Sequence, residues 1–469
     1  MRNNSICCIG AGYVGGPTMA VIALKCPDIR VTVVDKNKDK IDRWNSEDLN
    51  MLPVFEPGLK EIIEKVRNVN LFFKHDVEKA IEHNDIIFMA VNTPTKKYGE
   101  GKGMAADLTY VENCSRLISK HSKSDKIVVE KSTLPVRTAE KIKEILSANS
   151  SFNFEVVSNP EFLAEGTAIE DLFKSDRVLI GGNDTENGKR AVQKIVSIYS
   201  HWIPNDKIIT TNLWSSELTK LVSNAFLAQR ISSINSISSL CEETGADIEE
   251  VSKSVGMDSR IGNKFLNASI GFGGSCFKKD ILNLVYLFMH YGLDNEASYW
   301  QSVVDINTHQ TTRIGKKIIQ SLNSNVNNKT ITIYGWSFKK NTNDSRESAS
   351  IYLARQLLND MAYINVYDPM VSEKRVKRDL EEIFDDDKLN DIKSLIKRVK
   401  VFKEHEKAAE MSDAIVISTE WDEFQGFDWD IIYTLMKKPA WIFDGRNLLD
   451  SRSMEKIGFK IYSIGKSNS

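Results

Sequence analysis

Short runs of consecutive apolar residues alternate with helical patterns near both ends of the chain. Apolar runs of this length, each followed by a helical stretch, are typical of parallel strands that are covered by helices on both faces. The later runs repeat the earlier ones at a nearly constant offset, which predicts a second domain of the same kind. The runs lie at residues 5–9, 31–34, 85–91 and 126–130, and again at 331–335, 364–368 and 413–418.

Between these two sets lies one long helical stretch, residues 214–243, which contains neither glycine nor proline. The polar stretch 321–329 is typical of a linker, and the charged run 376–399 is typical of a solvated helical region. The fold class that follows is α/β, with two doubly wound, Rossmann-like domains joined by a central long-helix region. The predicted domains are residues 1–212, 213–325 and 326–469.

The first apolar run ends in Gly10-Ala-Gly12-Tyr-Val-Gly15, which opens a helical stretch. In a strand, turn and helix unit the first glycine makes the tight turn, the second lets a pyrophosphate approach the backbone, and the third permits close helix–strand packing. The next strand ends in Asp35, 20 residues beyond Gly15, where a carboxylate binds a ribose 2′-hydroxyl and repels a 2′-phosphate. The pattern therefore predicts a site for NAD rather than NADP.

Polar loops follow the runs 85–91 and 126–130, at the sheet edge where doubly wound folds bind ligands. Thr133 follows the run 126–130, and we expect it to face the site because its hydroxyl ends an apolar strand. The loop beginning at Asn159 carries Glu161 and Glu165, which the residues alone leave as site groups or as solvated acids.

Three glycines precede Cys276, which falls at the start of the apolar helical stretch 281–289. Unpaired amide N–H groups, the positive end of the helix dipole, and the neighbouring Lys278 and Lys279 would favour the thiolate, the form that attacks carbonyl carbons. The alternative is a small apolar residue packed in a buried turn. The other cysteines are predicted to be packing residues: Cys7, Cys8, Cys26, Cys114 and Cys241.

Two further groups of residues are candidates for ligand contacts. Lys220 and Asn224 share a face of the long helix because they are four residues apart, although a lysine on a helix is more commonly solvated. The second α/β domain lacks the glycine fingerprint, so we expect it to bind a different nucleotide-like ligand. Lys339 and Arg446 are its candidate phosphate contacts.

The composition of the 469-residue chain, 41% hydrophobic and 27% charged, is typical of a soluble globular enzyme. Its 62 basic and 64 acidic residues are well mixed, which argues against nucleic acid or a membrane as the principal partner. No signal-peptide pattern and no long apolar stretch occurs. Six cysteines without disulfide or metal-ligand spacing agree with a reducing compartment, so we expect a cytoplasmic protein with no metal site.

Taken together, the motifs closely resemble those of the UDP-glucose 6-dehydrogenases, and the resemblance covers essentially the whole chain. It implies oxidation of UDP-glucose to UDP-glucuronate with two NAD⁺, through a thiohemiacetal and a thioester on Cys276. It also implies an NAD domain, a central dimerisation region and a UDP-sugar domain. The motifs are Gly10-Ala-Gly-Tyr-Val-Gly15, Val91-Asn-Thr-Pro-Thr95, Glu130-Lys-Ser-Thr133, Asn159-Pro-Glu-Phe-Leu-Ala-Glu165 and Gly271-Phe-Gly-Gly-Ser-Cys-Phe-Lys-Lys-Asp280.

The same resemblance implies roles for individual residues. Cys276 is the nucleophile, and Lys220 and Asp280 handle the proton and the oxyanion. Glu161 assists thioester hydrolysis, Thr133 helps to hold water, and Asn224 completes the catalytic set. The implied NAD contacts are Gly10, Gly12, Tyr13, Val14, Gly15, Asp35, Thr93, Thr133, Glu165, Cys276 and Arg346. The implied sugar-nucleotide contacts are Glu161, Phe162, Leu163, Ala164, Glu165, Lys220, Asn224, Arg260, Asn267, Gly271, Phe272, Gly273, Phe338, Lys339 and Arg446.

The segment 99–107 resembles the animal-type branch, whose members are typically hexamers, whereas many bacterial members are dimers. Arg260 is implied to reach a neighbouring subunit's substrate. Asn267 stands where animal forms carry lysine, which removes a charge from that contact. The alternatives are a dehydrogenase of another nucleotide sugar such as GDP-mannose, a single-step hydroxyacid dehydrogenase, and an NAD-binding regulator. The single-step enzyme would have no use for the thiol, and the regulator would need the catalytic residues to coincide by accident.

Overall fold

The computed structural model describes residues 5–148, 150–385 and 392–467. The chain divides into two compact units. The first comprises residues 1–223 and 286–292, and the second comprises residues 224–285 and 293–469.

The first unit contains an eight-stranded sheet. Its strands are β1 (Ser5–Ile9), β2 (Arg30–Val34), β3 (Leu71–Lys74), β4 (Ile86–Met89), β5 (Lys126–Glu130), β6 (Phe154–Ser158), β7 (Val178–Gly182) and β8 (Ile208–Asn212). The strand order is β3-β2-β1-β4-β5-β6-β7-β8, and only the pairing of β6 with β7 is antiparallel. The order reverses between β1 and β4, which is where doubly wound sheets bind nucleotides.

Helices cover both faces of this sheet. They are α1 (Gly15–Lys25), α2 (Lys38–Asn45), α3 (Leu59–Val66), α4 (Val77–His83), α5 (Thr109–His121), α6 (Thr138–Ala148), α7 (Ala168–Phe173) and α8 (Glu186–Tyr199). The neighbours Cys7 and Cys8 belong to two separate buried clusters, because successive side chains of a strand point to opposite faces. The continuous apolar runs of the sequence are therefore explained by a sheet that is buried on both sides.

The second unit contains a six-stranded parallel sheet. Its strands are β9 (Thr330–Tyr334), β10 (Tyr363–Tyr367), β11 (Val399–Phe402), β12 (Ala414–Ile417), β13 (Trp441–Asp444) and β14 (Lys460–Ser463). The order β11-β10-β9-β12-β13-β14 repeats that of the first six strands of the first sheet. The predicted fold class of two Rossmann-like domains is confirmed.

Long helices lie between the two sheets in the sequence. They are α9 (Leu213–Thr244), α10 (Ile248–Gly256), α11 (Phe277–His290) and α12 (Asp294–Ser321). The remaining helices of the second unit are α13 (Ala349–Asn359), α14 (Glu373–Asp385), α15 (Ile392–Ile396), α16 (His405–Ala409), α17 (Trp429–Leu435) and α18 (Ser451–Ile457). The long uninterrupted helix predicted for residues 214–243 is observed as α9.

The charged run 376–399 is only partly as predicted. Residues 386–391 lie outside the described residues, and α14 buries Val376, Leu380 and Phe384 completely. This helix is therefore amphipathic rather than solvated throughout, because its apolar residues recur every four positions on one face. Among the described residues, no helix has both the length and the apolar character that crossing a bilayer requires.

Candidate active site

The turn between β1 and α1 has the geometry of a pyrophosphate site. Gly10 has φ +115°, and a Cβ at this position would collide with the carbonyl of Ala90. No described atom lies within 4 Å of where a Cβ on Gly12 would stand, so the backbone there is open to a ligand. No described side chain caps the start of α1, whose first N–H groups are oriented to bind an anion. The turn therefore fits the diphosphate of NAD.

The Asp35 carboxylate closes this turn from the end of β2. Its Oδ2 accepts hydrogen bonds from the Ala11 N–H (3.0 Å) and from the Lys40 ammonium (2.9 Å), and Oδ1 accepts from the Asn37 N–H (2.9 Å). Burial alone would raise the pKa of Asp35, but Lys40 and these N–H groups lower it below the usual value. Asp35 is therefore ionised at neutral pH, as a ribose acceptor must be.

The loops after β4 and β5 adjoin at the same edge of the sheet. The Ser132 hydroxyl donates to the Val91 carbonyl (2.6 Å), and the Lys131 N–H donates to the Met89 carbonyl (3.0 Å). Thr93 is buried and Thr133 is half-buried in these loops. Tyr13, Val14 and Glu165 are also half-buried at positions that follow β1 and β6.

Glu161 is held by four donors. Its Oε1 accepts from the N–H groups of Phe162 (2.8 Å) and Leu163 (3.2 Å), and its Oε2 lies 2.8 Å from the Lys131 ammonium and 3.4 Å from the Thr18 hydroxyl. Burial alone would raise the pKa of Glu161, but Lys131 lowers it below its usual value. Glu161 is thus an ionised, oriented carboxylate and not a solvated acid.

Three further residues contact the loop that follows Glu161. The Phe162 ring lies 4.0 Å from the Arg177 guanidinium and 5.2 Å from the Lys220 ammonium. The buried Glu56 carboxylate accepts from the N–H groups of Gly166 (2.7 Å) and Ala168 (3.0 Å). Neither Glu56 nor Lys131 was predicted as a site residue from the sequence, because each lies far along the chain from its partner. Their only sequence signal was a charge next to apolar residues.

The loop before Cys276 is fixed by three other segments of the second unit. The Gly274 N–H donates to the Arg346 carbonyl (2.9 Å), and the Phe272 N–H donates to Asn307 Oδ1 (2.8 Å). A Cβ on Gly273 would lie 2.5 Å from the Glu347 carbonyl and 2.9 Å from Phe338 Cβ, so no larger residue fits there. The glycines are therefore required by close backbone packing as well as by conformation.

Cys276 lies directly before α11, where its carbonyl accepts the Asp280 N–H at 2.8 Å. Of the six cysteines, all of them described, Cys276 alone is exposed and the other five are buried. The prediction that the other five cysteines are packing residues is confirmed, and Cys276 lies at a helix start as predicted. The reading of Cys276 as a residue packed in a buried turn is wrong.

Asp280 and Asn224 form a buried pair in the second unit. The Asn224 amide donates to Asp280 Oδ2 at 2.6 Å, and the two residues are 5% and 1% exposed respectively. Lys220, one turn before Asn224 on α9, is also buried, at 8% exposed. Burial of a lysine and an asparagine on one helix face is expected of site residues rather than of solvated ones.

The two lysines after Cys276 have carboxylate partners. The Lys278 ammonium contacts Glu347 and the Tyr352 hydroxyl, each at 2.9 Å, and Lys279 lies 3.4 Å from Asp280. The expectation that both charges act on the thiol is therefore corrected for Lys278, whose charge is neutralised by Glu347. What remains near the thiol is the start of α11.

Phe338 and Arg446 are brought to the cysteine loop. The Phe338 ring would lie 3.0 Å from a Cβ on Gly274, and Arg446 donates to the Phe338 carbonyl (3.3 Å) and the Ser418 carbonyl (2.7 Å). Arg446 also pairs with Glu420 at 3.3 Å. The Lys339 ammonium lies 5.8 Å from the Phe338 ring. These residues form a partly basic surface beside Gly273.

The other predicted contacts have varied surroundings. Arg346 forms a double hydrogen bond to Asp344, and Arg260 does the same to Asp258 while remaining 87% exposed. Asn267 and Ala164 are exposed, Leu163 is half-buried, and Gly271 and Phe272 are buried. Ligand contacts of these residues stay predictions.

The first domain is a Rossmann domain in which an ionised aspartate after β2 bonds to the glycine turn after β1. This arrangement places the protein among the dinucleotide-binding dehydrogenases. Models of three domains of one family match the chain: the NAD binding domain over residues 4–203, the central domain over 214–309 and the UDP binding domain over 332–451. The chain belongs to the UDP-glucose/GDP-mannose dehydrogenase family. The predicted cofactor, NAD, and the predicted second nucleotide domain are confirmed.

Similar proteins span nearly the whole chain. A UDP-glucose 6-dehydrogenase of Oryza sativa is 56% identical over 467 residues, covering 98% of this chain and 97% of its own. UDP-glucose 6-dehydrogenases of Drosophila melanogaster and Bos taurus are each 54% identical over 98% of this chain, and 96% and 93% of theirs is covered. The predicted resemblance is confirmed, including to animal proteins.

The fold is also that of solved structures. A UDP-glucose dehydrogenase of Pyrobaculum islandicum has a TM-score of 0.83 at 29% identity, over 99% of this chain and 98% of its own. A UDP-D-ManNAc dehydrogenase of Pyrococcus horikoshii has a TM-score of 0.82 at 22% identity, over 99% and 100%.

Proposed function

We propose that this protein oxidises UDP-glucose to UDP-glucuronate with two molecules of NAD⁺ per product. The exposed thiol of Cys276 at the start of α11 carries this proposal, because a simple alcohol dehydrogenase has no use for a nucleophile. The relatives at 54–56% identity, all named UDP-glucose 6-dehydrogenases, support the substrate.

The thiol is needed because oxidation of a primary alcohol to a carboxylate removes four electrons. NAD⁺ held by Asp35 and the turn at Gly12 would accept one hydride, which carries two of these electrons, so two molecules of NAD⁺ are needed for each acid. The Cys276 thiolate then attacks the C6 aldehyde, and the resulting thiohemiacetal carbon again carries a hydride that can be transferred. Transfer of that hydride to a second NAD⁺ would give a thioester, which water opens to release the acid and the thiol.

The remaining polar residues have roles that match their surroundings. Lys220, buried on α9, stabilises the oxyanion that forms at C6. Asp280, oriented by Asn224, accepts the alcohol proton through water. Glu161 assists attack of water on the thioester, and Thr133 helps to hold that water.

The nucleotide and the cofactor use separate residues. Asp35 and the turn at Gly12 bind NAD. Phe338, Lys339 and Arg446 bind the UDP portion, where Arg446 supplies charge to the diphosphate. The other contacts implied by the resemblance are proposed in the same roles, with Asn267 contributing an amide hydrogen bond only.

We also propose that the protein acts as a cytoplasmic homo-oligomer, with a hexamer favoured over a dimer. Large apolar side chains on α9 and α12 support association, because Phe226, Leu240 and Tyr299 are each more than half exposed. Arg260, which is exposed and pairs with Asp258 within its own turn, would complete the site of a neighbouring subunit.

Product analysis with a small panel of nucleotide sugars tests the activity. We expect UDP-glucose to give UDP-glucuronate, two NADH per acid and little free aldehyde. GDP-mannose should be a poor substrate. A product from GDP-mannose alone would move the assignment to another nucleotide sugar, and NAD⁺ binding without turnover of any sugar would indicate a regulator.

Substitution of the thiol tests the mechanism. Cys276→Ala should reduce acid formation by more than about 1,000-fold, because no thioester can form, and should leave NAD⁺ affinity nearly unchanged. The buried Cys241→Ala is the matched control and should keep wild-type stoichiometry. An undiminished rate in Cys276→Ala, or one NADH per acid in the wild type, would rule out the thioester route.

A further inference from the structure

A buried ammonium contacts the Glu161 carboxylate from inside the protein. Lys131, the first residue after β5, is 3% exposed, and its Nζ lies 2.8 Å from Glu161 Oε2. The same nitrogen donates to Asn159 Oδ1 and to the Tyr199 hydroxyl, each at 3.2 Å. An ammonium has three protons, so each of them has an acceptor.

The residues around this ammonium are hydrogen-bonded to one another and to the backbone. The Tyr199 hydroxyl donates to Asn159 Oδ1 at 2.7 Å, and the Asn159 amide donates to the Leu179 carbonyl at 2.8 Å. Burial of a charge is costly unless it is paired and hydrogen-bonded. This network therefore retains a positive charge that directly faces Glu161 and that is enclosed by protein.

Among the described residues, Lys131 and Lys220 lower the pKa of Glu161, and the Tyr199 hydroxyl shares the Lys131 ammonium with it. Lys220 is proposed to stabilise the substrate oxyanion, so its positive charge interacts with the substrate as well as with Glu161. Within the part of the chain that the structure describes, the Lys131 ammonium forms its ion pair with Glu161 and its hydrogen bonds with Asn159 and Tyr199. Without it, burial of Glu161 would favour the neutral carboxyl, which cannot accept a proton.

We propose that Lys131 is a positioning residue for thioester hydrolysis, which holds Glu161 ionised and directs its Oε2 without touching substrate. This inference rests on the proposed function, since it concerns the step that Glu161 is proposed to assist. In that step the water oxygen bonds to C6 and the bond from C6 to the Cys276 sulfur breaks. One water proton passes to Glu161 and then to the departing thiolate, and the other is released when the new acid ionises.

Lys131→Met tests the proposal in single-turnover experiments at pH 6 to 9. The variant should still release two NADH per site in a burst, because the hydride transfers do not require Glu161 as a base. Hydrolysis should then be slowed by about 100-fold at pH 7 and should recover as the pH rises and Glu161 ionises. Intact-protein mass measurement should show the sugar nucleotide bound to Cys276.

Two variants separate this role from simple loss of a buried lysine. Lys126, at the start of the same strand, donates to the carbonyls of Glu82 (3.3 Å) and Asn84 (2.7 Å), so Lys126→Met removes a comparable buried charge. It should lower thermal stability and keep the wild-type pH profile. Tyr199→Phe removes one acceptor of the ammonium but no charge, and should also keep that profile.

If Lys131→Met fails to fold, Lys131→Gln retains a donor for Asn159 and Tyr199 and should show the same alkaline shift. A wild-type pH profile and no trapped adduct in the folded Lys131 variant would overturn the inference, as would an equal shift in Lys126→Met. Absence of two NADH per acid in the wild type would instead overturn the proposed function.

Discussion

At the scale of single residues, the cofactor site depends on how the Asp35 carboxylate is paired. Lys40, one turn into α2, neutralises the charge of Asp35 in the free protein, and two backbone N–H groups orient it. A ribose 2′-hydroxyl can add a further hydrogen bond, whereas a 2′-phosphate brings a second negative charge to the same place. NAD⁺ is therefore favoured over NADP⁺.

Asp35→Ala should lower kcat/KM for NAD⁺ by about 10- to 100-fold, the worth of a hydrogen bond to a charged group. The ratio of kcat/KM for NAD⁺ to kcat/KM for NADP⁺ should fall by at least the same factor. The variant no longer has the carboxylate that repels the 2′-phosphate of NADP⁺, and Lys40 no longer has its carboxylate partner. Steady-state kinetics with both cofactors provide the measurement. Asp39→Ala, on the exposed face of α2, is the control and should keep the wild-type preference. Equal kcat/KM for NAD⁺ and NADP⁺ in the wild-type enzyme would rule out the proposed role of Asp35 in cofactor choice.

At the scale of elements, α6 begins on a buried carboxylate of α9. Glu217 accepts from the N–H groups of Arg137 (2.7 Å) and Ala139 (2.8 Å), which are among the unpaired donors of a helix start. Burial raises the pKa of Glu217 to about 7, although these N–H groups oppose the rise. Burial also raises the pKa of the neighbouring Glu130, so protons are bound to this pair more tightly in the folded state.

This pair should make stability depend on pH. A carboxyl whose pKa rises from 4.5 to about 7 on folding favours the folded state at low pH, and that contribution is lost as the pH rises from about 4.5 to 7. The loss is about 3 kcal/mol for Glu217 alone. Thermal unfolding between pH 5 and 8 should show it, and Glu217→Gln should flatten the dependence. Glu144→Gln, exposed on α6 and paired with Lys141, should leave the slope unchanged, and a wild-type slope in Glu217→Gln would contradict this explanation.

At the scale of the whole molecule, the same strand order occurs in both sheets, but the carboxylate after the second strand of each has different partners. Asp368 ends β10 as Asp35 ends β2, but its Oδ2 accepts from the N–H groups of Trp336 (2.6 Å) and Ser337 (2.9 Å). The Trp421 indole also donates to it, at 3.3 Å. The carboxylate at this position of the second sheet is thus bonded to the backbone N–H groups after β9 and to an indole, whereas Asp35 pairs with a lysine.

Assembly should be needed for activity if Arg260 completes a neighbour's site. Mixing inactive Arg260→Ala with inactive Cys276→Ala subunits should restore part of the activity through hybrid sites, to at most about a quarter of the wild-type value by random mixing of equal amounts. Mass measurement must first show that subunits exchange. Exchange without recovered activity would place Arg260 in its own subunit's site or outside catalysis.

The sequence by itself determined the features that depend on local order. Alternating apolar runs and helical stretches predicted both sheets, the spacing of Gly10, Gly12 and Gly15 predicted the NAD turn, and the glycines before Cys276 predicted a thiol at a helix start. These features follow from backbone conformation and periodicity within about 20 residues, which a single segment displays on its own.

The tertiary structure alone decided which charges are neutralised. Lys131 is 30 positions from Glu161, Lys278 is 69 from Glu347, and Glu217 is 78 or more from the N–H groups it accepts. Lys278 lies two residues from Cys276 in the sequence, yet its ammonium pairs with Glu347. Position in the sequence alone cannot reveal that pairing. Burial makes an unpaired charge costly, so each buried charge requires a partner, and only the folded chain brings those partners within hydrogen-bonding distance.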